Sequence, residues 1–236
     1  MCMRIFFVTM ICVCSLLGAD NPKQKLQTLL DSKQIPAKVL STQEVGHNLL
    51  AVVLEHSQNG EQIMLFSSSD GEVLFNVGEL MWSEDNAFLT KFDRIQTEFT
   101  NAQKAKVDTK AIKLFDTYKD QVITFKAKKP TQKTIYIISD PMCPYCLKEF
   151  EKLSSRLESS NVAMLVVGFL GENSIKKASE IFDKKTNDES KNLALLTTIY
   201  NREYKPKDLQ NQKVLEISKA VAQAGVHSVP YIIESK

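Results

Sequence analysis

Cysteine is scarce in this chain: there are five in 236 residues, and Cys2, Cys12 and Cys14 crowd near the start, leaving only Cys143 and Cys146 beyond. Histidine is scarcer, with His47, His56 and His227 far apart. Two thiols and scattered imidazoles do not supply the four ligands of a structural zinc site, so no metal is expected. An excess of charge of one sign is also missing. Thirty Lys and Arg stand against 28 Asp and Glu, for a formal charge of +2, and the lysines are dispersed among acids. A nucleic-acid partner therefore has no support. No internal repeat or long low-complexity run is present.

Residues 1–19, ending in "LLGA", read as a cleavable signal peptide. Arg4 is the charged start, Ile5 to Leu17 form an apolar run too short to span a bilayer, and Gly18-Ala19 suit a signal peptidase. An uncleaved anchor is the alternative. Ile11 and Val13, not small residues, precede Cys12 and Cys14, so a lipoprotein anchor is not expected. The rest of the chain would then be soluble and reach a compartment where disulfides persist. Its length suits one large domain or two small ones.

The pattern along that remainder changes twice. In residues 20–82, "PKQKLQTLLDSKQ" (22–34) spaces its leucines as a short helix. Four strand-like runs follow, "AKVLSTQEV", "NLLAVVLEH", "EQIMLFSSS" and "EVLFNV", with the turn signals Asn59-Gly60 and Asp70-Gly71 between them. So small a sheet would have an edge and an open face, which a second copy could cover. Residues 83–118 read as a connecting helical linker. Phe88, Phe92, Ile95 and Phe99 form a packing stripe behind Ser83 as N-cap, and a second helical piece runs from Thr109 to Tyr118. Residues 119–236 return to buried strands, "QVITFKA", "TIYIIS" and "NVAMLVVGFL". Three helical patterns between about 172 and 225, stopped by Gly225, precede a last short strand after Val229-Pro230.

"SDPMCPYCLKEF" sits where "TIYIIS" turns into an amphipathic helix carrying Leu147, Phe150, Leu153 and Leu157. Pro144 falls at the first helical position and Cys143 at the cap, where the positive helix end stabilises a thiolate. Cys146 lies one turn further in and is less accessible. The loop closed by Cys-x-x-Cys is too short to staple a fold effectively. A CxxC opening a helix after a buried strand is the thioredoxin-like redox arrangement. Around it, Tyr145 would tune the site. Asp140 could accept a proton or, more naturally, shape an Asx turn into the helix. Glu149 would be solvated on the helix surface, and His227 a loop histidine without a chemical role. From the residues alone, Pro230 could open an edge strand in trans or adopt the cis form facing the dithiol.

"SDPMCPYC", "VVGFLG", the helical insertion and "SVP" resemble the periplasmic thiol:disulfide interchange proteins of the DsbC/DsbG type, and within them the DsbK-type dimeric oxidases. The resemblance covers the whole chain after the signal peptide, with sharp motifs only at the CxxC and the proline. It implies an α+β protein: a cystatin-like N-terminal dimerisation domain, a connecting helix, and a thioredoxin-like catalytic domain with a helical insertion. It implies that Cys143 attacks, Cys146 resolves, Pro230 is cis, and Val229 offers backbone to an extended substrate. Val229 stands where the isomerases commonly carry threonine and the monomeric DsbA oxidases carry valine, which favours oxidase over isomerase. Only six residues follow Pro230, fewer than the last strand and helix of a complete thioredoxin fold. The implied partners are unfolded or reduced exported proteins and a membrane oxidase of the DsbB/DsbI type, in a periplasmic homodimer with no cofactor beyond its own disulfide. The alternatives are an isomerase or reductase, including one for cytochrome c maturation, fed by a DsbD/CcdA-type reductase, or a redox-independent chaperone.

Overall fold

The computed structural model describes residues 21–77 and 82–235. The segment read as a signal peptide lies outside them. The chain falls into two compact units that divide between Asn101 and Ala102, inside one long helix.

The N-terminal unit is a helix, α1 (Pro22–Ser32), on a four-stranded antiparallel sheet. Its strands, in the order β1-β2-β3-β4, are β1 (Ala37–Gly46), β2 (Leu49–His56), β3 (Gln62–Ser68) and β4 (Leu74–Phe75). Asn21 caps α1 by accepting from the Lys23 N–H, with Pro22 in the first turn. The helix stops at Ser32, short of Gln34, because Gln34 adopts φ +54°. The Ile35 N–H then bonds back to Leu30 O and the Gln34 N–H to Asp31 O, a Schellman closure.

The two-residue turn between β1 and β2 carries no Asn-Gly signal, yet His47 and Asn48 both sit at positive φ, as a primed hairpin turn requires. His47 is held there by Asp85, 2.9 Å away, and by the edge of Phe88. β2 is buried on both faces. Leu50, Val52 and Leu54 pack with Leu26 and Leu30 of α1, while Ala51 joins Phe66, Phe88, Phe92 and Ile95 on the other side. The face expected to be open for a second copy is thus covered by the phenylalanine stripe of the following helix.

Gly71 has φ +75°, and a Cβ there would stand 2.8 Å from the Pro22 carbonyl oxygen. Gly71→Ala is expected to destabilise the N-terminal unit by about 1–3 kcal/mol, measured by denaturant unfolding.

The stripe belongs to α2 (Asn86–Thr117), a single continuous helix where two pieces were expected. Asp85, not Ser83, caps it. Asp85 Oδ1 accepts from the Ala87 and Phe88 N–H groups, while Ser83 Oγ accepts only from the Asp85 N–H. These bonds hold the Asp85 carboxyl below the usual carboxylate range, helped by His47.

The C-terminal unit is built on a mixed sheet ordered β5-β7-β6-β8. Its strands are β5 (Ile123–Phe125), β6 (Thr134–Ser139), β7 (Asn161–Val166) and β8 (Tyr231–Glu234). β6 and β7 are parallel, and β5 and β8 run antiparallel to their neighbours. Helices α3 (Pro144–Glu151) and α4 (Leu153–Arg156) lie between β6 and β7. Helices α5 (Glu172–Lys184), α6 (Glu189–Tyr200) and α7 (Gln212–Gln223) form the insertion between β7 and β8. Along β7, Val162, Met164 and Val166 enter one core, and Ala163, Leu165 and the following Val167 enter the other. A strand buried on both faces needs an unbroken apolar run, and these residues supply it. Gly225, at φ +97°, ends α7 in a second Schellman closure, with the Val226 N–H on Val221 O.

Candidate active site

β6 ends at Ser139, and the chain turns through Asp140 into α3. The Asp140 side chain is fully buried and makes that turn: Oδ1 accepts from the Met142 N–H at 2.8 Å. Its other oxygen reaches the segment after β7, accepting from the N–H groups of Phe169 (2.7 Å) and Leu170 (3.1 Å) and from Ser174 Oγ (2.5 Å). Asp140 therefore makes the Asx turn and also ties the insertion to the dithiol loop, a role its sequence position did not suggest.

Cys143 is the N-cap of α3, with Pro144 in the first turn. Its sulfur makes no capping bond to the helix. As a thiol it donates instead to the Val229 carbonyl oxygen at 3.4 Å. The Val229–Pro230 peptide is cis. Two segments 86 residues apart thus meet at one sulfur.

Cys146 is buried one turn on, and both thiols are free. The Asp140 N–H points at Cys146 Sγ from 3.3 Å. Burial pushes the Cys146 thiol up to about 12. The Asp140 N–H and the Ser139 hydroxyl oppose that shift, and the neighbouring Cys143 adds to it. Ser139 Oγ shares a 2.7 Å bond with the Tyr200 hydroxyl, whose own ionisation is pushed up by complete burial. Both cysteines are buried, but they differ: Cys143, 6% exposed, stands at a helix end and lines cavities that Cys146 does not, whereas Cys146, 1% exposed, is held protonated. In a Cys143→Ser protein, alkylation of Cys146 is expected to rise about tenfold per pH unit between pH 7 and 10, because burial still holds the thiol up and the thiolate is the reacting form. Mass-spectrometric labelling rates between pH 7 and 10 check this.

Tyr145 is exposed, with the Lys148 ammonium 5.7 Å from its ring centre. Glu149 departs from expectation. It is 5% exposed, pairs with Arg156, and has Lys152 Nζ at 3.4 Å. Its place in the stripe Cys146, Glu149, Phe150, Leu153 was the available signal, since that spacing puts it on the inner face. His227 is exposed beside Cys143, in a largely apolar cavity of about 480 Å³ whose walls include Phe169, Leu170, Val226 and Val229.

Residues 26–112 match the family model of the disulfide isomerase DsbG N-terminal domain. The N-terminal unit, with part of the long helix, therefore resembles the N-terminal domain of DsbG. The C-terminal unit has a thioredoxin-like arrangement with a helical insertion between β7 and β8. Among solved structures, Helicobacter pylori DsbG is similar at 25% identity, covering 89% of this chain and 99% of that one, with a TM-score of 0.47. A periplasmic thioredoxin-like protein from Salmonella enterica serovar Typhimurium is similar at 21% identity, covering 49% and 78%, with a TM-score of 0.40. The Wolbachia pipientis thiol-disulfide exchange protein α-DsbA2 follows at 14% identity, covering 57% and 87%, with a TM-score of 0.38. No curated protein matches the chain.

Proposed function

We propose that this chain is a DsbC/DsbG-type protein and a periplasmic oxidase that introduces disulfides into exported proteins. The observation that carries the reading is the asymmetric dithiol: Cys143 at a helix start against the Val229 carbonyl and lining a cavity, and Cys146 one turn further in with its thiol pushed up by burial. In the oxidised protein, a reduced substrate thiolate attacks Cys143 Sγ and the Cys143–Cys146 bond breaks. Cys146 leaves as a thiolate and takes up a proton, which its environment strongly favours. Held protonated, Cys146 is a poor nucleophile for reversing that step. A second substrate thiolate then attacks the substrate sulfur of the mixed disulfide, and Cys143 is released. The substrate has lost two electrons and two protons to the dithiol, and no metal or organic cofactor takes part. A membrane oxidase of the DsbB/DsbI type restores the disulfide, and the N-terminal unit pairs two copies.

Valine before the cis proline supports oxidation over reshuffling. The isomerase reading, with a DsbD/CcdA-type reductant, is supported by the matched family, whose name is that of a disulfide isomerase. Alkylation trapping in cells separates the two. Cys143 and Cys146 are expected mostly oxidised, and a mostly reduced pair would refute the oxidase. Val229→Thr is expected to raise disulfide reshuffling of a scrambled substrate relative to its oxidation of a reduced one. An unchanged ratio would remove valine as a support.

A further inference from the structure

A second hollow touches Cys143, apart from the apolar cavity beside Val229. It holds about 250 Å³, and its walls include Cys143, Pro141, Met142 and Leu147 together with two cations, Lys177 and Arg202. Lys177 is 1% exposed although it is a lysine. Its ammonium carries three donors, and its hydrogen bond is a single one to the Asn201 carbonyl oxygen at 2.8 Å, with the Tyr204 ring centre 5.9 Å away. Arg202 is exposed. Among the described residues, neither cation has a carboxylate within ion-pair distance.

A buried ammonium without an anion is costly, and the usual outcomes are pairing or loss of charge. Burial pulls Lys177 down, while the charge of Asp140 acts against that shift from a distance. Asp140 itself is occupied by four other donors. The hollow therefore offers positive charge with no resident counter-ion, between apolar walls, against the sulfur that would receive a substrate. Consecutive residues of a peptide stand about 3.8 Å apart, so a group reaching the hollow belongs to a residue adjoining the substrate cysteine.

We propose that this hollow is a subsite for a carboxylate, and that Lys177 and Arg202 make the protein prefer substrate cysteines flanked by Asp or Glu. The inference rests on the exchange reading above. Its test uses full-length oxidised protein and single-cysteine peptides that differ only in carrying Asp, Asn or Lys beside the cysteine. Mixed-disulfide formation is followed by acid quench and mass spectrometry. Each rate is divided by the same peptide's rate with a small aromatic disulfide, which removes the intrinsic effect of the neighbour on the thiol. The Asp peptide is expected to react about tenfold faster than the Asn peptide and the Lys peptide slower than both. The preference should shrink as salt rises. In Arg202→Ala and Lys177→Met proteins the Asp-to-Asn ratio should fall towards one. Arg202 is exposed, so its variant carries the test should the Lys177 variant not fold. Equal normalised rates for the three peptides, or an Asp preference intact in Arg202→Ala, would overturn the subsite while leaving exchange standing. Failure of every peptide to react would overturn the exchange reading, and the subsite with it.

Discussion

Cys143→Ser protein is expected to exchange no faster than the uncatalysed reaction, whereas Cys146→Ser protein accumulates as a covalent mixed disulfide with substrate. The difference follows from the two environments and not from the CxxC pattern, which is symmetric. With Cys143 gone, burial, the largest cause of the upward shift, still holds the remaining thiol up, so little of it is thiolate at pH 7. That sulfur is also 1% exposed. With Cys146 gone, Cys143 keeps its place at the helix start and against Val229, and can still attack a substrate disulfide. No neighbouring thiol then releases the product. Non-reducing gels of each variant with a disulfide-bearing peptide distinguish the cases. Exchange surviving in Cys143→Ser, or equal trapping by both variants, would reverse or dissolve the assignment of attacking and resolving sulfurs.

The parts of this molecule legible in its sequence are those where one local rule operates. β2 and β7 are visible as unbroken apolar runs because both of their faces are covered. The dithiol is visible at a helix start because Pro144 suits the first turn and the apolar spacing begins directly after it. What escapes is whatever depends on a partner distant along the chain. Nothing near His47-Asn48 announces a primed turn. The turn is stabilised by Asp85 and Phe88, 38 and 41 positions later, and the same Asp85 displaces Ser83 as the cap of α2. The face of the small sheet that looked open is closed by Phe88, Phe92 and Ile95, residues readable as a packing stripe but not as packing against that sheet.

Buried charges were the second blind spot, and here a signal existed. Glu149 falls in the stripe Cys146, Glu149, Phe150, Leu153, and Lys177 falls in the stripe Ser174, Lys177, Ala178, Ile181. Each is a charged residue at an inward-facing helical position. Average tendency calls such residues solvated, but the spacing points them inward, and the spacing describes both correctly. Glu149 meets Arg156 and Lys152, a structural pairing. Lys177 meets a carbonyl and an aromatic ring, which is why it, and not Glu149, bears on recognition.

Asp140→Ala is expected to cost the C-terminal unit about 3–5 kcal/mol, more than any surface substitution near the site. Four donors converge on this one fully buried side chain: three backbone N–H groups and a hydroxyl. Each donor left buried without an acceptor costs about 1–3 kcal/mol, and water entering the vacated space recovers part of the total. Asp140→Asn keeps the shape but turns one side of the carboxyl into a donor. One group, either the Met142 N–H or the cluster of Phe169, Leu170 and Ser174, then faces another donor, and about 1–3 kcal/mol should be lost. The Asp140 N–H that points at Cys146 is backbone and survives both changes, so loss of the carboxylate can be separated from loss of that contact. Hydrogen exchange supplies the site-specific measurement. The amides of Met142, Phe169 and Leu170 should exchange faster in both variants, and most in Asp140→Ala. Because Phe169 and Leu170 line the cavity beside Cys143, mixed-disulfide formation with an uncharged peptide should slow alongside. Stability within about 0.5 kcal/mol of wild type, with those three amides unchanged, would mean that the insertion is not tied to the dithiol loop through Asp140.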